Sequence, residues 1–174
     1  MKKILIALTL TLITLVLAAP VLAVTPDSAR LIVGRDASVD TGSLNLELVD
    51  DTLTVIFTMD GDSGWLLDET HLYVGDVPPE KSAPGKFPYK DDELGGVVTH
   101  SYEISEISSI DENGDNEIYV AAHAALIMEE VDPETGETLY SHESSWAQVG
   151  SEDNDLSFGK GKNWASCFIV DLSE

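Results

Sequence analysis

Between Ser43 and Thr58 apolar and polar residues alternate in two runs, and this pattern commits the segment to strands. Leu44, Leu46 and Leu48 interleave with Asn45 and Glu47. After Asp50-Asp51, Leu53, Val55 and Phe57 interleave with Thr52, Thr54, Ile56 and Thr58. A period of two puts one residue set on each side of a strand, whereas a helix needs an apolar stripe recurring every 3.6 residues. Two such runs joined by a short acidic turn make a β-hairpin.

The remaining chain repeats the theme. Met59-Asp60-Gly61-Asp62-Ser63-Gly64 reads as a turn, and Trp65 to Val74 as a third strand. Alternation there predicts Trp65, Leu67, Glu69, His71 and Tyr73 on one face, against Leu66, Asp68, Thr70, Leu72 and Val74 on the other. Val97 to Ser105 alternates again. Ile118 to Met128 is a nearly continuous apolar run suited to a central strand, Thr138 to Val149 follows the turn Asp132–Glu137, and Asn163 to Leu172 closes the chain. Gly75 to Gly96 differs. Pro78, Pro79, Pro84 and Pro88 exclude a helix or an inner strand, so this is a long ordered loop pinned by Phe87 and Tyr89. Many short strands joined by Gly, Pro and Asp turns predict an all-β antiparallel sandwich, Ig-like or jelly-roll-like, with an open barrel as the alternative.

Lys2-Lys3, the uncharged run Ile4 to Ala19 and the small residues of Val21-Leu22-Ala23 form a secretory signal peptide over residues 1–23, cleaved before Val24. An uncleaved anchor is the alternative. Residues 24–43 make an N-terminal extension. Its Leu31-Ile32-Val33 run either packs on its own sheet or adds to a neighbour's sheet edge; residues 44–174 make the sandwich domain. The net charge of −23 becomes −25 once Lys2 and Lys3 leave, with seven Lys and Arg against 32 Asp and Glu. Nucleic acid is excluded as a partner, because binding it requires neutralising phosphates with Lys and Arg. Divalent cations or a cationic ligand fit such a surface. Cys167 is the single cysteine, so the core holds without an internal disulfide, and a buried thiol in a strand is its expected state.

Two groups of side chains could carry chemistry. Glu69 and His71 share a strand face, His123 sits among alanines that leave room for an imidazole, and Glu143 precedes Trp146. Two imidazoles with one or two carboxylates suit zinc or a similar divalent ion; the competing reading is a hydrogen-bonded network tying strands together. The second group is Asp111, Asn113, Asp115 and Glu117, oxygen donors at alternate positions like the front half of a calcium loop. An EF-hand is excluded, because Asn116 stands where Gly is needed and Ala122 where the bidentate Glu belongs. Asp60-Gly61-Asp62 and Glu152-Asp153-Asn154-Asp155 are weaker versions of the same arrangement. No Gly-x-Ser-x-Gly elbow or phosphate loop occurs.

Five segments occur in order: Trp65-x-Leu67-x-Glu69-Thr70-His71-Leu72-Tyr73-Val74-Gly75, Pro84-Gly85-Lys86-Phe87-Pro88-Tyr89, Tyr119-Val120-Ala121-Ala122-His123-Ala124, Glu143-Ser144-Ser145-Trp146-Ala147 and Gly161-Lys162-Asn163-Trp164-Ala165. In these motifs, over Leu44 to Val170, the chain resembles a group of secreted, largely uncharacterised β domains of bacterial, archaeal and some eukaryotic surface proteins. The resemblance implies an extracellular setting and one constellation of Glu69, His71, His123, Glu143, Trp146, Asn163 and Trp164. Cysteines that such domains carry near the Ala-Ala-His-Ala strand are missing here, so no disulfide carries over.

The expectation is a secreted, non-enzymatic extracellular or cell-surface component serving adhesion, matrix or filament building, or ligand binding. Calcium is a candidate stabiliser, and self-association or other surface proteins are the candidate partners. The alternative is a metal-binding protein or metal-dependent hydrolase built on the Glu/His cluster.

Overall fold

The computed structural model describes residues 21–22, 24–34, 39–150, 155–158 and 164–173. The strands are β1 (Val21–Leu22), β2 (Ser28–Val33), β3 (Val39–Val49), β4 (Thr52–Met59), β5 (Leu66–Gly75), β6 (Tyr89–Asp91), β7 (Thr99–Ser105), β8 (Glu117–Val131), β9 (Thr138–Gln148), β10 (Asp155–Ser157) and β11 (Ser166–Asp171). Among the described residues helix is confined to two single 3-10 turns, Pro84–Lys86 and Ile107–Ser109.

All strands join one antiparallel sheet in the order β10-β11-β8-β9-β2-β3-β4-β7, with β5 on the other edge of β8 and β6 on β5. The expected hairpin is β3–β4, with Val49 opposite Thr52 around Asp50-Asp51. Asp50 adopts φ 55°, left-handed backbone that Asp tolerates better than most residues. The sheet curls over one core until β5 and β7 nearly meet, so its halves face each other as sandwich layers do while its ends approach barrel closure. Hydrogen bonds span that seam. Leu67 and Val97 exchange backbone bonds, N to O at 2.8 and 3.0 Å. The Tyr102 hydroxyl donates to the Thr70 carbonyl at 3.0 Å, so the Thr70 hydroxyl donates to the Tyr102 oxygen at 2.8 Å. Burial raises the Tyr102 pKa and keeps it a donor.

Of the two possibilities for the extension, the first holds. β2 lies inside the sheet, with Arg30 paired to Ser43 of β3 on one side and Gln148 of β9 on the other. The Val21–Leu22 backbone, just ahead of the expected cleavage point, pairs with Leu48 and Val49. Other residues of the expected signal segment lie outside the described residues.

The core draws on nearly every strand. Phe57, Phe168, Leu31, Leu44, Leu53, Leu67, Leu72, Ile118 and Leu126 have no solvent exposure. Each such side chain stabilises the fold by roughly 1.5–3 kcal/mol through lost contact with water. One expectation about β5 is overturned. A bulge between Leu67 and Glu69 gives β5 an extra residue at Asp68, so Leu67 opposes Leu126 and joins Leu72 and Val74 in the core. Because alternation has period two, one inserted residue reverses the facing of everything before it.

Candidate functional site

β8 is buried on both sides over Ile118 to Leu126, and its two faces differ in chemistry. One face packs Ile118, Val120, Ala122, Ala124 and Leu126 into the core. The other carries Ala121, His123 and Ala125, where small side chains let neighbouring groups approach closely. There the Pro-rich loop inserts Phe87, which meets Tyr73 at 5.8 Å, Trp146 at 6.1 Å and Phe158 at 6.4 Å between ring centroids. Phe87 is therefore buried and Tyr89 half-buried; both anchor the loop. Cys167 belongs to this second cluster. Burial, helped by the Asp155 charge, pushes its pKa to about 11, so it stays a thiol rather than a nucleophilic thiolate.

At the rim of this cluster lies a chain of polar groups. His71 opposes His123 across β5 and β8, which brings both imidazoles to the same face. Their Nδ1 atoms are 3.2 Å apart, and the rings lie 5.3 Å apart at 45°. His71 Nε2 donates to Asp92 Oδ1 at 3.0 Å, while Lys90 Nζ donates to Asp92 Oδ2 at 2.9 Å. Glu69 Oε2 stands 3.8 Å from the same Nε2. One proton lies between the two Nδ1 atoms, so one ring donates and the other accepts. The far side of His123 rests edge-on against Trp146, at 5.0 Å. Burial first, and the neighbouring His71 second, lower the His123 pKa to about 3, so this imidazole is neutral at ordinary pH. Asp92 is held below the usual carboxylate range, first by the Lys90 bond and also by the His71 bond.

The expected four-residue cluster is brought together only in part. Glu69, His71 and His123 share the outer face. Glu143 does not belong with them: it pairs with Leu126, on the core-side face of the sheet, and is exposed where the β8–β9 hairpin leaves the barrel. The alternation responsible is plain in β9, where Trp146 faces His123 while Ser145, one residue nearer Glu143, opposes Ala124. Trp146 lies against the imidazole pair's outer side and Trp164 packs at the edge of the aromatic cluster; Asn163 lies outside the described residues.

Asp92 and Lys90 are the residues that sequence reasoning missed. β6 has three residues and follows Pro88, too short for periodicity to reveal. A proline just before a short edge strand is nevertheless allowed, and the pattern Lys90-Asp91-Asp92 was the available signal.

The acidic turn before β8 uses its oxygens locally. The Asp111 carboxylate accepts from the Gly114, Asp115 and Asn116 N–H groups at 2.9, 3.2 and 3.0 Å. Asn113 Oδ1 accepts from Asp115 N–H, and Asp115 Oδ1 from Glu117 N–H, both at 2.9 Å. The same economy holds at Asp155, whose two oxygens take the Val149 and Gly150 N–H groups; Glu152, Asp153 and Asn154 lie outside the described residues. Asp60 serves through its backbone carbonyl, which accepts from the Ser63 N–H and hydroxyl.

No protein-family model matches the chain, and no curated protein or solved structure matches it either.

Proposed function

We propose that this chain is a secreted, non-enzymatic extracellular component that works by binding another protein, with the distal β8–β9 hairpin as its contact element. The observation that carries the reading is the exposure of that hairpin on both faces. From Glu129 to Val131 and from Thr138 to Tyr140 every residue is exposed. A two-stranded ribbon with neither face packed is marginal in water, so the arm gains little for the fold itself. Yet it presents Val131, Leu139 and Tyr140 at 67, 49 and 55% exposure. Val131 and Tyr140 lie on one face of the ribbon and Leu139 on the other, so a partner that grips the arm meets large apolar side chains on both sides of an acidic strand pair.

The surrounding charge narrows the partner. Glu129, Glu130, Asp132, Glu134 and Glu137 lie on or beside the arm. With 32 acidic residues in the chain, two copies repel each other at moderate salt, which disfavours self-association. The complementary surface is an apolar centre ringed by Lys and Arg, where charge speeds encounter and apolar contact holds the complex. The resemblance to secreted surface domains supports the extracellular setting, and Cys167, buried and protonated, offers no thiolate nucleophile for catalysis.

A random peptide library displayed on phage and selected against the immobilised protein tests this. Enriched peptides are expected to combine basic with aromatic or aliphatic residues and to lose binding to the double variant Leu139→Ser, Tyr140→Ser. Peptides that bind that variant as well as the parent would overturn the assignment of the arm.

A further inference from the structure

We propose that Glu69, His71 and Asp92 form a binding site for a first-row divalent transition ion of the zinc type, a function independent of the arm. Among the described residues, one ligand atom from each of these three converges within 4.8 Å. Zinc bonds imidazole nitrogen and carboxylate oxygen at about 2.0–2.2 Å, which places tetrahedral ligands about 3.4 Å from one another. The distances from His71 Nε2, 3.0 Å to Asp92 and 3.8 Å to Glu69, lie on either side of that spacing. Small rotations of two exposed carboxylates accommodate the ion, while the imidazole stays where it is.

The backbone register explains the convergence. Thr70 pairs with Asp91 and His71 with Lys90, so the next position in register sets Asp92 across from Glu69. Like charges directly opposite on neighbouring strands destabilise a sheet unless a cation lies between them. Lys90 supplies part of that charge through Asp92 Oδ2, leaving Oδ1 turned toward the imidazole and Glu69. Two carboxylates against one divalent ion balance its charge, with Lys90 remaining on the outer oxygen.

His123 completes the design as a positioning residue. A metal takes the lone pair of His71 Nε2, so the proton of that ring moves to Nδ1 and is donated to His123 Nδ1, 3.2 Å away, while the proton that His123 carried on Nδ1 passes to its own Nε2. The Nδ1 bond survives with its direction reversed. A metal-bound histidine whose other nitrogen is held in this way is fixed in tautomer and orientation. The His71 side chain is 5% exposed while those of Glu69 and Asp92 are 40 and 47% exposed, so the ion has a rigid buried anchor and an open side for entry. Imidazole with carboxylates favours zinc, cobalt or manganese over calcium, which prefers an all-oxygen shell.

The experiment is cobalt titration of chelator-treated protein in millimolar calcium and magnesium, followed by visible absorption and by calorimetry with zinc. One equivalent is expected, with the intense absorption of tetrahedral cobalt. Asp92→Asn, an exposed substitution that leaves the core intact, is expected to weaken binding by tenfold or more, and so is His71→Gln. His142→Gln, exposed on the arm, is expected to bind like the parent. His123→Gln should weaken binding ten- to a hundredfold, the range for residues that orient a metal ligand. Absence of stoichiometric uptake by the parent, or equal uptake by Asp92→Asn, would overturn the site.

Discussion

The two halves of β8 present opposite situations in one continuous strand. From Ile118 to Leu126 it is covered on both faces, by the core on one side and by the imidazole pair and aromatic cluster on the other. From Glu129 onward it is covered on neither, although β9 still pairs with it out to Val131–Thr138. Backbone pairing therefore continues where packing has ended. Hydrogen bonds set the direction of the strand; side-chain burial decides which part of it supports the fold.

Substitutions along the strand should separate these regimes. Leu126→Ala, at the last fully buried position, is expected to cost about 3 kcal/mol, combining lost apolar transfer with a cavity, as measured by urea denaturation. A loss under 1 kcal/mol would mean that the barrel half is less tightly filled than its burial implies.

Next comes His123→Gln, expected to cost about 2 kcal/mol at neutral pH by disturbing a buried hydrogen-bonded pair. Its pH dependence is a sharper measurement. The imidazole titrates at about 3 in the folded protein against an ordinary 6.5, so between those values the unfolded chain holds more protons. Its contribution is complete above about pH 6.5 and is lost as pH falls toward 3. The stability gap between parent and variant should accordingly shrink from pH 7 to pH 4.5. A constant gap would show that His123 is not held neutral by its surroundings.

Asp111→Ala, in the turn that feeds β8, should cost about 1 kcal/mol through the loss of an acceptor for three backbone N–H groups, and calcium should not restore it. A melting temperature that calcium raises in the parent and not in the variant would give the turn an ion-binding role instead. The smallest effect belongs to the arm: Leu139→Ser should change stability by less than about 0.5 kcal/mol, because Leu139 is exposed and belongs to neither core cluster. Stability lost there at the scale of Leu126→Ala would erase the contrast between the halves.

The same contrast governs what could be read from sequence. Strands with one wet and one dry face announce themselves, as β3 and β4 do through Leu44 to Phe57, and the hairpin turn was legible with them. β8 was recognisable as central because its apolar run is continuous. The side on which His71 would lie was legible too, since it is local to the strand. The face of Leu67 was not, because a bulge depends on what pairs with the strand and leaves no mark in a single sequence. Glu143 was misplaced for a related reason: proximity to Trp146 in sequence puts adjacent residues on opposite faces. Asp92 was hidden by its short strand, and only the register of β6 on β5 brings it to His71.

The position of β2 has a consequence for how the molecule is made. Arg30 lies between Ser43 and Gln148, so one flank of this early strand is completed almost at once and the other waits for β9. A chain emerging N-terminus first can form the β2–β3–β4 meander while most of its sequence is still to come, but the sheet cannot curl shut until β9 appears. Folds dominated by such distant pairings assemble slowly. During that interval β2 offers an unsatisfied edge beginning Ser-Ala-Arg, and Arg30, one of few cations in the chain, stands on it beside Asp40 and Asp60. A charged residue in that position discourages pairing with the wrong strand until the right one arrives.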